Sequence, residues 1–222
     1  MAEFTLVIGN KNYSSWSLRG WLLARLAGID FEEIIVPLDL PETQPTIRKH
    51  SPSGRVPVLL HRGLAIWESL AIAEYLNDLK PEAKLWPPSA AARAHARSIS
   101  AEMHAGFADL RNNMPMNIRA SYPGKGMTPQ VRADIERVTG LWRDTRKRFS
   151  TAFQNDEGFL FGAFGAADAM FAPVVTRFRT YGVKLDSDSD AYCNAVLAHA
   201  PMKEWIEAAK HEPWLIAAYE LA

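Results

Sequence analysis

Phe4-Thr-Leu-Val-Ile-Gly9, Ser15-Trp-Ser-Leu-Arg-Gly-Trp-Leu-Leu-Ala-Arg-Leu-Ala27 and Phe31-Glu-Glu-Ile-Ile-Val-Pro-Leu38 follow one another near the start of the chain. The first and third runs are short and rich in β-branched and aromatic residues, so they read as strands. The middle run places Trp21, Leu22 and Leu26 at helical spacing, a stripe that Ile29 extends toward a core. Gly28 follows where a left-handed cap residue ends a helix. Strand, helix and strand in this order make a βαβ unit with a parallel crossover.

Working outward, Pro41 to His50 is a second, irregular helical segment, and Ser51-Pro-Ser-Gly54 leads into Val56-Pro57-Val58-Leu59-Leu60. Arg62-Gly63 reads as a hairpin turn before Leu64 to Trp67, so this part closes antiparallel. Leu70, Ile72, Ala73, Tyr75 and Leu76 then mark a helix over Glu68 to Leu79. Lys80 to Ser89 carries Pro81, Pro87 and Pro88, and strand-like alternation largely ends there. Long helical patterns follow over Ala90 to Arg119, Pro129 to Phe153 and Ala166 to Tyr181, with shorter ones up to Leu221. The reading is an α/β unit over 1–80, a linker over 81–89 and an all-α unit over 90–222.

With 222 residues, 48% of them hydrophobic, the chain has ample material for a buried core. Its 25 Lys and Arg balance 25 Asp and Glu, so no general attraction to nucleic acid or to an anionic membrane is expected. The segment Met1 to Gly9 lacks the basic-then-apolar order of a secretion leader, which points to a cytoplasmic protein. The apolar stretch Phe159 to Val175 is interrupted by Asp168 and Pro173 and falls short of a membrane span. One cysteine, Cys193, excludes an internal disulfide and a Cys-x-x-Cys redox pair. The six histidines show no zinc-binding spacing, and no metal is expected. Asp186 to Asp190 reads as a solvated turn and helix start, and Arg143 to Arg148 as a solvated helix face.

Asn10-Lys-Asn-Tyr-Ser-Ser-Trp-Ser-Leu-Arg19 joins the first strand to the first helix, placing hydroxyls and free backbone N–H groups at the positive end of a helix. That loop suits an anion, although Ser14 and Ser15 are also ordinary helix-capping residues. It resembles the serine-type branch of the glutathione S-transferase family, whose zeta class carries Ser-Ser-Cys-Ser-Trp-Arg where this chain has Ser14-Ser15-Trp16-Ser17-Leu18-Arg19. Two further segments are similar to the family. Arg55-Val56-Pro57-Val58-Leu59 matches its Val-Pro segment before the third strand, and Trp67-Glu68-Ser69-Leu70-Ala71-Ile72 matches its acidic-residue-then-serine junction. Phe159 to Asp168 resembles the capping segment of its central C-terminal helix, with Gly165 replacing the usual Ser or Thr.

The resemblance implies a thioredoxin-like βαβαββα domain followed by an all-helical one, and glutathione as co-substrate with no metal. It implies that the Ser14 hydroxyl stabilises the glutathione thiolate, with Tyr13 and then Ser15 as rival sulfur ligands. Val56 would pair through its backbone with the cysteinyl part, beside a cis Pro57. Arg55 would face the glycyl carboxylate, while Glu68 and Ser69 would take the γ-glutamyl end. Arg19 is a candidate electrostatic contact, or alternatively a surface ion-pair partner. Met103, His104 and Phe107 lie on the helix that lines the second-substrate pocket in relatives, and core packing explains the apolar members equally well. Asp168 is structural. The implied activity is transfer of the glutathione thiolate to a small electrophile by a homodimer. Trp16, Leu18 and Gly20-Trp21 depart from the zeta motif and weaken the alternative of a glutathione-dependent cis-trans isomerase. A non-catalytic module with the same fold is a further alternative, separable by retention on immobilised glutathione; a glutaredoxin-like reductase lacks the cysteine it needs.

Overall fold

The structure, a computed structural model, describes residues 3–153 and 155–221. The first two residues of the segment read for a leader therefore lie outside the described residues. Strands β1 (Phe4–Ile8), β2 (Phe31–Ile35), β3 (Val58–His61) and β4 (Leu64–Trp67) form one sheet in the order β2-β1-β3-β4. β1 and β2 pair in parallel, while β3 runs antiparallel to both β1 and β4. The crossover between β1 and β2 is α1 (Ser15–Leu26); α2 (Thr43–Arg48) precedes β3, and α3 (Ser69–Leu79) follows β4. The period-2 alternation of β1 sends Phe4, Leu6 and Ile8 into the main core and Val7 into a smaller cluster with Val36, Ile47 and Val58.

The helical part comprises α4 (Ala90–Ala105), α5 (Ala108–Asn113), α6 (Pro129–Phe149), α7 (Ala166–Thr180), α8 (Ser187–Ala198) and α9 (Ala200–Lys210). The helical pattern read over Ala90 to Arg119 is broken at Gly106 and Phe107, the latter in the left-handed region at φ 62°. Arg111 explains the break, because its guanidinium donates to the carbonyls of Met103, His104 and Gly106 that α4 leaves unpaired. Strand β2 stops before Pro37, which has no N–H for the ladder. The Arg62-Gly63 turn has both residues at positive φ, as a two-residue hairpin turn requires. The Arg143 to Arg148 face is laced to Asp186, Asp156 and Asp144 by ion pairs.

Two features fix α1 in place. Gly20 lies so close to the loop before β3 that a Cβ there would stand 2.7 Å from Pro57 Cγ. α1 also packs on α7, where Asp168 is fully buried. Asp168 Oδ1 accepts from Leu160 N–H at 3.0 Å and Oδ2 from Gly165 N–H at 2.9 Å. The Asp168 half of a capping box thus survives although Gly165 offers no side chain in return. Burial pushes the Asp168 carboxyl up to about 6, against the lowering effect of those N–H bonds.

Asp168→Ala is expected to lower the melting temperature while leaving glutathione affinity nearly unchanged, read by calorimetry and binding titration; unaltered melting would refute the structural role. Because the folded carboxyl holds its proton more tightly than the unfolded one, its contribution to stability rises as pH falls through about 6. The stability advantage of the wild type over Asp168→Asn is therefore expected to widen between pH 7.5 and 5. Gly20→Ala is expected to destabilise the fold and weaken glutathione binding by displacing Pro57. Gly140→Ala, with nothing within 4 Å of its added Cβ, serves as the control and gains roughly 0.5–1 kcal/mol of helix stability.

Candidate functional site

The loop between β1 and α1 folds back on itself, the Ser14 N–H bonding the Asn10 carbonyl at 2.8 Å. Ser14 is the N-cap of α1, its Oγ accepting from Ser17 N–H at 3.3 Å and lying 2.8 Å from Ser17 Oγ. Ser17 Oγ also accepts from Gly9 N–H at 2.9 Å. The Ser14 hydroxyl donates to Ser17 Oγ, so a ligand that takes the Ser14 proton does so in place of Ser17.

A cavity of about 580 Å³ opens beside it, lined by Tyr13, Ser14, Ser15 and Trp16 from the loop, Arg111, Asn112, Pro115 and Met116 from the α5 region, and Arg177 from α7. Leu38, Asp39, Ile216, Ala218 and Tyr219 complete its wall. A second cavity of about 220 Å³ is lined by Trp16, Ser53, Arg55, Val56, Pro57, Glu68 and His104. Trp16 lines both cavities, so they meet at the start of α1.

The smaller cavity brings together five of the candidate site residues, Arg55, Val56, Pro57, Glu68 and His104, and one residue that was not singled out, Ser53. The Val56-Pro57 peptide is cis. Glu68 has φ 69° and ψ 128°, a sparsely populated conformation for a residue with a side chain. Its carboxylate lies 3.4 Å from His104 Nε2. Ser69 follows as the first residue of α3, and its buried Oγ has no hydrogen-bond partner among the described residues. Such a group costs about 1–3 kcal/mol unless a ligand satisfies it. Burial pushes His104 down, with the Glu68 carboxylate working in the opposite direction.

Other candidates sit elsewhere. Arg19 is fully buried, which overturns the surface ion-pair alternative: its Nε donates to the Met170 carbonyl at 2.9 Å and its guanidinium lies 4.4 Å from the Trp16 ring. Its Nη1 and Nη2 have no partner among the described residues. Met103 and Phe107 pack into the hydrophobic core rather than onto either cavity wall, so of the three pocket candidates only His104 faces a cavity. Tyr13 is buried, and its hydroxyl bonds Glu220 and Arg119. Burial, reinforced by the Glu220 bond, pushes its phenol above the ordinary value.

Sequence reasoning missed Arg111 and Arg177. Burial lowers both guanidiniums, that of Arg177 to about 10, and Arg111 adds to the shift of Arg177. Arg111 lies 4.8 Å from the Trp16 ring, so Arg19 and Arg111 both contact one indole. An arginine in a helical run normally reads as solvated, so no local pattern distinguished them. Among the described residues there is no group of three His, Cys, Asp or Glu side chains that could hold a metal ion, and no helix long and apolar enough to cross a membrane.

Residues 13–79 match the family model for the glutathione S-transferase N-terminal domain. Over 98 residues the chain is 36% identical to a probable maleylacetoacetate isomerase of Caenorhabditis elegans, covering 44% of this chain and 45% of that protein. The chain thus spans about half the length of this relative. A maleylacetoacetate isomerase of Pseudomonas aeruginosa is 29% identical over 179 residues, covering 78% of this chain and 82% of its own. The fold is that of a glutathione transferase homologue from Burkholderia gl BGR1 solved with bound glutathione, with a TM-score of 0.68 and 23% identity over 93% of this chain and 97% of that one. Residues 13–79, which contain the Ser14, Val56 and Glu68 segments, thus match the glutathione S-transferase N-terminal domain, and the chain as a whole has the fold of glutathione transferases.

Proposed function

We propose that the chain is a glutathione transferase that holds glutathione along the smaller cavity and presents its sulfur, as thiolate, to a small electrophile in the larger one. The observation that carries this reading is the buried Ser69 hydroxyl without a partner, placed at the N-terminus of α3 next to the strained Glu68. Free N–H groups, the helix dipole and a hydroxyl donor together suit a carboxylate. In this reading Ser69 takes the γ-glutamyl carboxylate, Glu68 faces the neighbouring ammonium, and Arg55 takes the glycyl carboxylate. Val56 pairs with the cysteinyl backbone as an added strand would, beside Pro57. Arg19, enclosed by protein, acts on the ligand only through Trp16.

Ser14 supplies the activating hydrogen bond. A thiol with a reference pKa of about 8.5 must fall by one to two units to be mostly thiolate at neutral pH, and two units correspond to about 2.7 kcal/mol. One hydrogen bond to the charged sulfur plus the positive end of α1 is of that size. The Ser17 N–H supports it by donating to Ser14 Oγ. Residues 1–80 then hold glutathione, 81–89 link, and 90–222 supply most of the second-substrate wall. A cytoplasmic homodimer serving detoxification completes the proposal; exposed Leu64, Trp67 and Leu79 offer apolar surface for a second copy.

A second reading, glutathione-dependent cis-trans isomerisation, is favoured by the larger cavity. Arg111 and Arg177 both line it, with Asp39 the one carboxylate among its lining residues. Relatives named maleylacetoacetate isomerase carry an anionic substrate in their names. The two reactions share the thiolate and differ in the second ligand.

Ultraviolet titration of the thiolate at saturating glutathione is expected to give a depressed pKa that rises by about one unit or more in Ser14→Ala; no depression in the wild type would refute the assignment. Electrophiles bearing a free carboxylate are expected to react with a kcat/KM roughly tenfold or more above that of their methyl esters, a preference that shrinks in salt. Equal or better turnover of the esters would remove the arginines from substrate recognition.

A further inference from the structure

The loop that carries Tyr13 and Ser14 is pinned by the C-terminal segment. Glu212 accepts from Lys11 N–H at 2.7 Å through Oε1 and from Asn12 N–H at 3.0 Å through Oε2. Glu220 reaches the same loop one residue further along, its Oε1 accepting the Tyr13 phenol proton. The Glu220 carboxylate is itself held, by Asn117 Nδ2 at 3.0 Å and by the Tyr122 hydroxyl at 3.2 Å. The Tyr13 oxygen has a further partner, accepting from Arg119 Nη2 at 3.1 Å. Arg119 in turn donates to the Trp214 carbonyl at 3.0 Å. The Tyr13 hydroxyl has one proton, and that proton is committed.

Tyr13 nonetheless lines the same cavity as Ser14 and Ser15, and Ile216, Ala218 and Tyr219 of the C-terminal segment line it too. A phenol is a stronger hydrogen-bond donor than an alcohol. A Tyr13 with a free proton in this cavity would therefore outcompete either serine for a nearby thiolate. In this structure the carboxylate of Glu220 takes that proton.

We infer that Glu220 is a positioning residue that withholds the Tyr13 phenol from the glutathione sulfur, so that activation falls to the Ser14 hydroxyl. The inference rests on the proposed glutathione site and adds the reason why the serine is selected there over its neighbour. It assigns the C-terminal segment a part in the choice of activating group, through a contact distant in sequence.

The test compares the pKa of the bound glutathione thiol across a set of variants. Tyr13→Phe is expected to leave it depressed, within about 0.3 unit of wild type, whereas Ser14→Ala raises it by about one unit or more. Adding Glu220→Ala to Ser14→Ala frees the phenol and is expected to recover about half of the lost depression. Adding Glu220→Gln instead, which keeps an oxygen acceptor, recovers little. Introducing Tyr13→Phe into the Ser14→Ala/Glu220→Ala variant removes the recovery. A second readout needs no glutathione. The Tyr13 phenol, measured by tyrosinate absorbance against the matching Tyr13→Phe protein, ionises at lower pH once the Glu220 carboxylate is gone.

Tyr13→Phe raising the thiol pKa as far as Ser14→Ala does would overturn the inference, and so would absent recovery when Tyr13 ionisation has dropped. Both outcomes leave the glutathione reading intact. A wild type with no depression overturns that reading, and this inference with it. If Glu220→Ala fails to fold by circular dichroism, the Tyr13→Phe and Glu220→Gln proteins decide the matter.

Discussion

The guanidinium of Arg19 is buried where α1 packs on α7, and its Nε donates to the Met170 carbonyl at 2.9 Å. A buried charge is tolerated only with compensating partners, and here these are one carbonyl and the face of Trp16. Sliding or rotating α1 would strand that charge, so the register of α1 against α7 is fixed. The next residue, Gly20, sets the distance on the opposite side by letting Pro57 approach within reach of a missing Cβ. Two successive residues thus tie α1 to the helical part and to the loop before β3. The N-terminus of α1, with Ser14 as its cap, is consequently held at the junction where both cavities meet.

The βαβ unit was legible because its signals are local: alternating strands, the stripe through Trp21 and Leu22, and a glycine cap at Gly28, whose φ is 64°. The hairpin at Arg62-Gly63 was legible for the same reason, while the structural role of Asp168 was legible through the resemblance of its capping segment. The break of the helix after Ala105 was not, because the apolar period runs on and Arg111, six residues later in the chain, is what stabilises the end of α4. The same limit governs the site. Met103 and Phe107 stand four apart in the sequence, as on one helical stripe, and apolar side chains suit a core and a substrate wall equally well; the packing put them in the core. Arg177 lies on a helix buried almost all round, where no period separates a cavity-facing arginine from a solvated one.

Those arginines give the larger cavity a cationic wall, which Met103 and Phe107 as pocket candidates did not suggest. Arg111 and Arg177 serve two purposes, each donating to backbone carbonyls while its charge remains close to the cavity. Held by backbone, they cannot swing out to solvent, and an effective dielectric below that of water lets their charge act over a longer range than on a surface. Trp16 stands between this field and the smaller cavity, touching Arg19, Arg111 and His104. The departure from cysteine to tryptophan at this position therefore supplies the surface on which the cationic groups are arranged.

In the proposed reaction, one positive field serves two anions. The dipole of α1 and the arginines of the larger cavity all favour negative charge near Ser14, so they lower the thiol pKa together with the serine hydrogen bond. An anionic second substrate draws on the same field. Its arrival partly neutralises the arginines as seen from the sulfur and shifts the thiol pKa upward. The sulfur becomes more basic, and hence a stronger nucleophile, at the moment a partner is within reach. A neutral electrophile leaves the field unaltered and meets a more stabilised, less reactive thiolate. The cationic wall thus couples recognition to reactivity, and the hydroxyl of a serine, a weaker donor than a phenol, leaves room for that coupling to act.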